Sequence, residues 1–133
     1  MSFDSDWNDL DRFRHSGAKI GVPYVTLSKR KSITLSAGFV HKAQHQISNS
    51  NYVILYFSKS KNAIVFDFTS DKNDSGSIKM SKGSNVNIAG RSFFNYYMID
   101  ADKAEGKYIA KLENIPNIGE RWVVYLNDKQ LEE

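Results

Sequence analysis

Residues 1–17 carry Phe3, Trp7, Leu10 and Phe13 at helical spacing, with Asp4, Asp6 and Asp9 early, Arg12 and Arg14 late, and Gly17 as a stop. This pattern predicts a short amphipathic helix over 4–15, because acidic side chains favour the first turn of a helix and basic ones the last. Gly17 to Pro23 reads as a linker, and beyond it the hydrophobic period shortens to two. Tyr24 to Leu27 and Ile33 to Leu35, β-branched or aromatic runs around the polar turn Ser28-Lys29-Arg30-Lys31-Ser32, predict a hairpin. Phe39, Val40 and Ala43 predict one short helix over 37–46, ended by Ser48-Asn49-Ser50-Asn51. Tyr52 to Phe57 and Ala63 to Phe68 predict two further strands joined by Ser58-Lys59-Ser60-Lys61-Asn62. The first of these is apolar on both faces, as a strand between two layers is.

After the loop at Ser70 to Gly76 the same order returns. A shift of 53 positions sets Val25 on Ile78, Leu27 on Met80, Lys29 on Lys82, Ile33 on Val86, Leu35 on Ile88 and Val40 on Phe93. Tyr52-Val53 then falls on Tyr108-Ile109, and Ile64-Val65-Phe66 near Val123-Val124-Tyr125, with the extra residues in loops, where insertions are tolerated. The expectation is two β-β-α-β-β repeats, over 24–69 and 77–127. One such unit exposes strand edges, so two copies would close on each other. The predicted fold is mainly β within an α+β class: a compact, barrel-like core in a single domain over 1–133, preceded by the helix in 1–17.

Composition agrees with that picture and narrows the chemistry. A chain of 133 residues with 41% hydrophobic residues, two prolines and no cysteine has enough material for one core without disulfides. The lack of cysteine excludes thiolate metal sites and thiol nucleophiles. Without a basic, apolar leader or a run of about 20 apolar residues, the expected setting is soluble and cytoplasmic, with no membrane partner.

The formal charge of +3 is unevenly spread. Residues 18–69 hold Lys19, Lys29, Arg30, Lys31, Lys42, Lys59 and Lys61 against Asp67 alone, a net +6, while 1–17 sum to −2 and 70–133 to −1. Local excess of this kind steers anionic partners. Three consecutive basic residues at a hairpin tip must project at least two into solvent, where they can neutralise phosphates. Lysines in exposed turns also simply discourage edge-to-edge pairing.

The stretch from Lys29 to Ala43, a hairpin, Ser-Ile-Thr-Leu-Ser and a short helix ahead of two strands, resembles the AbrB/MazE type of swapped-hairpin DNA-binding module. Two such modules in one chain resemble the MraZ arrangement. The resemblance implies DNA contacts from the basic hairpin turn and nearby helix residues, which by position are Lys29, Arg30, Lys31 and Lys42 in the first copy and Lys82 and Arg91 in the second. The sequence departs from the pattern in having Lys31-Ser32 where a turn glycine is usual and Ser36 where a proline is usual, although Gly83 stands in the second turn. Ser92-Phe93-Phe94 to Ile99-Asp100 and the whole layout also resemble a group of bacterial proteins without assigned function.

Other readings compete. Tyr24, Tyr52, Tyr56, Phe66 and Phe68, flanked by Lys59 and Lys61, can be drawn as a stacking platform for single-stranded nucleic acid. Whirly proteins and single-strand-binding coactivators use such sheets, but with four strands before each helix; the alternative for these aromatics is the core. The stripe Phe3, Trp7, Leu10 and Phe13 suits either a cap on the chain's own barrel or a protein partner, including a second copy. Enzyme signatures are lacking: His41 and His45 are four apart without an accompanying carboxylate in 37–51, nucleophile elbows and phosphate-binding loops are absent, and Asp100-Ala101-Asp102 with Glu105 lacks the spacing of a calcium loop. The expectation is a non-enzymatic nucleic-acid-binding protein, acting on duplex DNA, without metal or cofactor.

Overall fold

Alternation of buried and exposed side chains sets the strands. Val25 and Leu27 in β1 (Tyr24–Leu27) and Ile33 and Leu35 in β2 (Ser32–Leu35) turn inward, while Thr26 is exposed and Thr34 half-buried between them. This computed structural model describes residues 22–130 except 72, 74 and 84, so the helix expected over 4–15, with Phe3, Trp7, Leu10 and Phe13, lies outside the described residues.

Beyond the first hairpin come α1 (Ala37–Lys42), α2 (Gln44–Ser48), β3 (Tyr52–Ser58) and β4 (Ala63–Thr69). The second half has β5 (Ile78–Lys82), β6 (Val86–Ala89), α3 (Arg91–Tyr96), α4 (Ala101–Ala104), β7 (Gly106–Ile109), β8 (Lys111–Ile115), β9 (Gly119–Tyr125) and a 3-10 turn at Leu126–Asp128. The single helix expected over 37–46 is two helices. Ser36 caps the first through a hydroxyl that accepts from the Phe39 amide at 3.2 Å, and Ala43 breaks the run with φ −100° and ψ 25°. Phe39, Ala43 and Ile47 are buried on either side of that break.

The nine strands form one mainly β, nearly closed antiparallel sheet in the order β7-β1-β2-β6-β5-β3-β4-β9-β8. Each hairpin of the order is flanked by strands of the other half: β1–β2 lies between β7 and β6, and β5–β6 between β2 and β3. The second half holds one more strand than expected. The extended stretch from β7 to β8 changes partner at the buried Ala110, pairing first with β1 and then with β9. The Ala110 amide donates to the Pro23 carbonyl at 2.9 Å, so the chain itself spans the seam between the sheet's two edges.

Inside, Phe39, Phe66, Phe94 and Tyr108 are almost fully buried and belong to one cluster drawn from both halves. Phe39 packs on Phe66 at 6.2 Å and on Trp122 at 5.0 Å between ring centroids. Among the described residues no helix is long and apolar enough to cross a membrane.

Candidate nucleic-acid interface

The β1–β2 turn is a three-residue loop built on local bonds. The Lys31 amide donates to the Ser28 carbonyl at 2.9 Å, and the Ser28 amide to the Ser32 carbonyl at 3.1 Å. Lys31 has φ +66°, the left-handed residue that closes such a loop and that glycine ordinarily supplies. The Ser28 and Ser32 hydroxyls, 2.7 Å apart, tie the base of the turn. Lys29 and Arg30 are exposed at its tip.

The turn is docked on α3. The Gly90 amide donates to the Lys31 carbonyl at 2.9 Å, and a Cβ at Gly90 would itself stand 2.9 Å from that oxygen, so glycine is what permits the approach. The Lys31 ammonium donates to the Asn95 side-chain carbonyl. Arg91 follows Gly90 directly, and the structure therefore brings Lys29, Arg30, Lys31 and Arg91 together. Glu105 lies 4.0 Å from the Lys29 ammonium, but both side chains are well exposed and such a pair contributes little.

Lys42 and Lys82 do not join that group. Strands β2 and β6 pair antiparallel, Ser32 with Ala89 and Leu35 with Val86, which sends the β1–β2 and β5–β6 turns to opposite ends of the pair. Lys42 ends α1 at the far end, and the Lys82 ammonium donates to the Ile47 carbonyl at 2.7 Å and the Asn51 side-chain carbonyl at 3.2 Å. That lysine fastens the end of α2, where last-turn carbonyls need donors. The six residues that the sequence groups thus divide into four at one end and two at the other.

The near end also holds Phe57, Tyr96, Tyr97 and Met98, which sequence reasoning missed as site residues. Phe57 of β3 packs on Tyr97 at 5.3 Å and on Phe93 at 6.3 Å, which draws the β3–β4 turn, with Lys59 and Lys61, to the same helical segment as the first turn. Tyr96, Tyr97 and Met98 are 78%, 40% and 86% exposed there. They close α3 in a Schellman arrangement: the Ile99 amide donates to the Phe94 carbonyl at 2.9 Å and the Met98 amide to the Asn95 carbonyl at 3.3 Å. Met98 takes φ +55° where that motif favours glycine. Beside it opens a cleft of about 460 Å³ lined by Phe57, Tyr97, Met98, Lys59 and Lys103 among others.

Four non-glycine residues have positive φ among the described residues: Lys31, Asn62, Met98 and Asn117. Asparagine tolerates that conformation, whereas Lys and Met are strained in it, and strain of this kind gathers at functional sites. Both strained residues sit on the same end. The trace of this in the sequence is the run Tyr96-Tyr97-Met98-Ile99, which offers no glycine or asparagine where α3 ends.

The aromatic platform does not form. Phe66 is fully buried and Phe68 packs against Phe39 at 6.1 Å in the interior, whereas Tyr24 lies on β1, separated from β3 and β4 in the sheet order, beneath the Lys107 ammonium, 4.8 Å from its ring centre. His41 and His45 fall on either side of the break at Ala43, and no group of three metal-ligating side chains occurs among the described residues. Compared with known proteins, the chain matches no family model, no curated protein and no solved structure.

Proposed function

We propose that this chain is a non-enzymatic nucleic-acid-binding protein that docks on duplex DNA through the phosphates, using Lys29, Arg30 and Lys31 on the β1–β2 turn and Arg91 at the start of α3. The observation that carries this reading is the docked turn. A flexible basic loop would lose conformational freedom on binding, but here the Gly90 amide and the Asn95 side chain already fix the loop, with two cations in solvent at its tip. The strained φ of Lys31 supports it further, since glycine would hold the same turn more cheaply but supply no charge. In the sheet order the hairpins β1–β2 and β5–β6 each lie beside strands of the other half, which supports the swapped-hairpin resemblance.

The test is binding of a fluorescent duplex of about 20 base pairs by anisotropy, at about 50 and 200 mM salt. Affinity should fall steeply with salt, and replacement of Lys29, Arg30 and Lys31 by Ser should weaken binding while circular dichroism shows the fold intact. The salt slope should flatten by up to about 0.9 per phosphate contact removed. A folded triple variant with undiminished affinity, or a wild-type protein that binds no duplex, overturns the proposal.

A further inference from the structure

Resting on that reading, we infer that the cleft beside the turn receives one unpaired nucleotide, so that the preferred partner is a duplex carrying a short single-stranded step. At about 460 Å³ the cleft falls within the range of small-ligand sites, which runs from roughly 300 to 1,000 Å³. Its wall is aromatic and soft: Phe57, Tyr97 and the Met98 side chain, the kind of surface on which a base stacks. Its charged lining is Lys59 and Lys103 against Asp100.

The one carboxylate in the lining, Asp100, is committed elsewhere. It accepts from the Asp102 amide at 3.0 Å and the Lys103 amide at 3.4 Å as the cap of α4. Across the cleft Asn62 donates to the Asn127 side-chain carbonyl at 3.0 Å. Two carboxamides joined by one bond retain further donors and acceptors, the inventory needed to meet the edge of a base. An apolar peptide would leave two ammonium groups and two amides poorly matched, whereas a nucleotide answers all of them.

Continuity with the turn gives the route. The Lys31 ammonium reaches Asn95, the next residue is the exposed Tyr96, and Tyr97 and Met98 already line the cleft. The Tyr96 and Tyr97 rings meet edge to face at 4.8 Å, which packs Tyr96 against a residue of the cleft wall. A strand whose phosphates cross Lys29, Arg30 and Lys31 therefore passes Tyr96 on its way in. Met98 holds its strained φ at the rim.

The experiment compares a blunt duplex with the same duplex bearing a three-nucleotide overhang, for the wild type and for Met98→Gly and Tyr96→Ser, at one salt concentration. Wild type should bind the overhang about tenfold more tightly, as loss of a stacked base typically costs. Both variants should bring that ratio to near one. Met98→Gly should do so with a melting temperature equal to or above wild type, because it relieves the left-handed strain, so misfolding cannot account for its effect. Equal wild-type affinity for the two oligonucleotides, or a preference that survives both substitutions, overturns the inference while leaving duplex binding standing. Absence of binding to either oligonucleotide removes the duplex reading and the inference with it.

Discussion

Lys31 combines two opposed demands in one residue. Its φ of +66° is the conformation in which an L side chain crowds the backbone, at a cost of about 1–2 kcal/mol relative to a relaxed one. Its ammonium bonds to Asn95 at an exposed position, which recovers only part of that. Lys31→Gly should therefore raise stability in urea by about 1 kcal/mol and at the same time weaken duplex binding. Opposite signs in the two measurements are the expected result. A loss of stability would show that the Asn95 bond, and not the backbone, decides the local balance. Met98 obeys the same backbone rule, but its side chain is mostly in solvent, so little packing offsets its strain. Asn62 and Asn117 occupy comparable positions in other turns with a residue type suited to them.

At the scale of elements, the site depends on how α3 and α4 are fastened to the barrel. Tyr108 of β7 is buried and its hydroxyl donates to the Ala104 carbonyl at the end of α4. Burial pushes its phenol pKa above the ordinary value of 10.0, which means the fold favours the neutral form. The stabilisation is complete below the ordinary tyrosine pKa and is lost as pH rises through the raised one. Tyr108→Phe should cost about 1 kcal/mol at neutral pH through the missing bond. It should also flatten the alkaline decline in melting temperature, leaving the part due to Tyr125, whose bond to Glu113 raises its pKa as well. An alkaline limb identical to wild type would remove Tyr108 from that transition. The first hairpin was legible in the sequence because Val25, Leu27, Ile33 and Leu35 alternate with polar residues, and burial on one face fixes such a pattern. The break at Ala43 was not, because the apolar positions of 37–47 run on without interruption while the chain bends between Phe39 and Ile47. Strand β8 was not either: it is an edge strand with Leu112 exposed and charged neighbours, and an edge leaves only a weak alternation to read. The basic turn was legible as three adjacent residues, but its convergence with Lys59 and Tyr96–Met98 depends on Phe57 meeting Phe93 and Tyr97 across the fold, which spacing along the chain does not encode.

On the whole molecule the surplus of charge becomes a direction. The turn end, comprising residues 28–31, 59–62, 90–105 and 126–130, holds eight basic residues against four acidic ones. Three of those acids have local duties: Asp100 caps α4, Glu105 faces Lys29, and Asp128 lies 3.9 Å from the Lys111 ammonium. Strands β1, β2, β5, β6 and β7 carry Lys79, Lys82 and Lys107 and no acid, with Lys82 at the far end, whereas β4, β8 and β9 carry Asp67, Glu113 and Glu120 against Lys111 and Arg121. Asp67, the one acid in the basic stretch, is held 3.0 Å from Arg121 on the other side of the barrel. A field arranged in this way orients an approaching polyanion, and it separates placed charge from net charge. Arg30→Glu and Lys42→Glu alter the net charge equally, at opposite ends of the molecule. If position governs, Arg30→Glu should weaken duplex binding by about tenfold or more, and Lys42→Glu should stay within about threefold of wild type at the same salt. Equal losses from the two substitutions would mean that the protein attracts DNA through its total charge alone, and the docked turn would then have no special part in recognition.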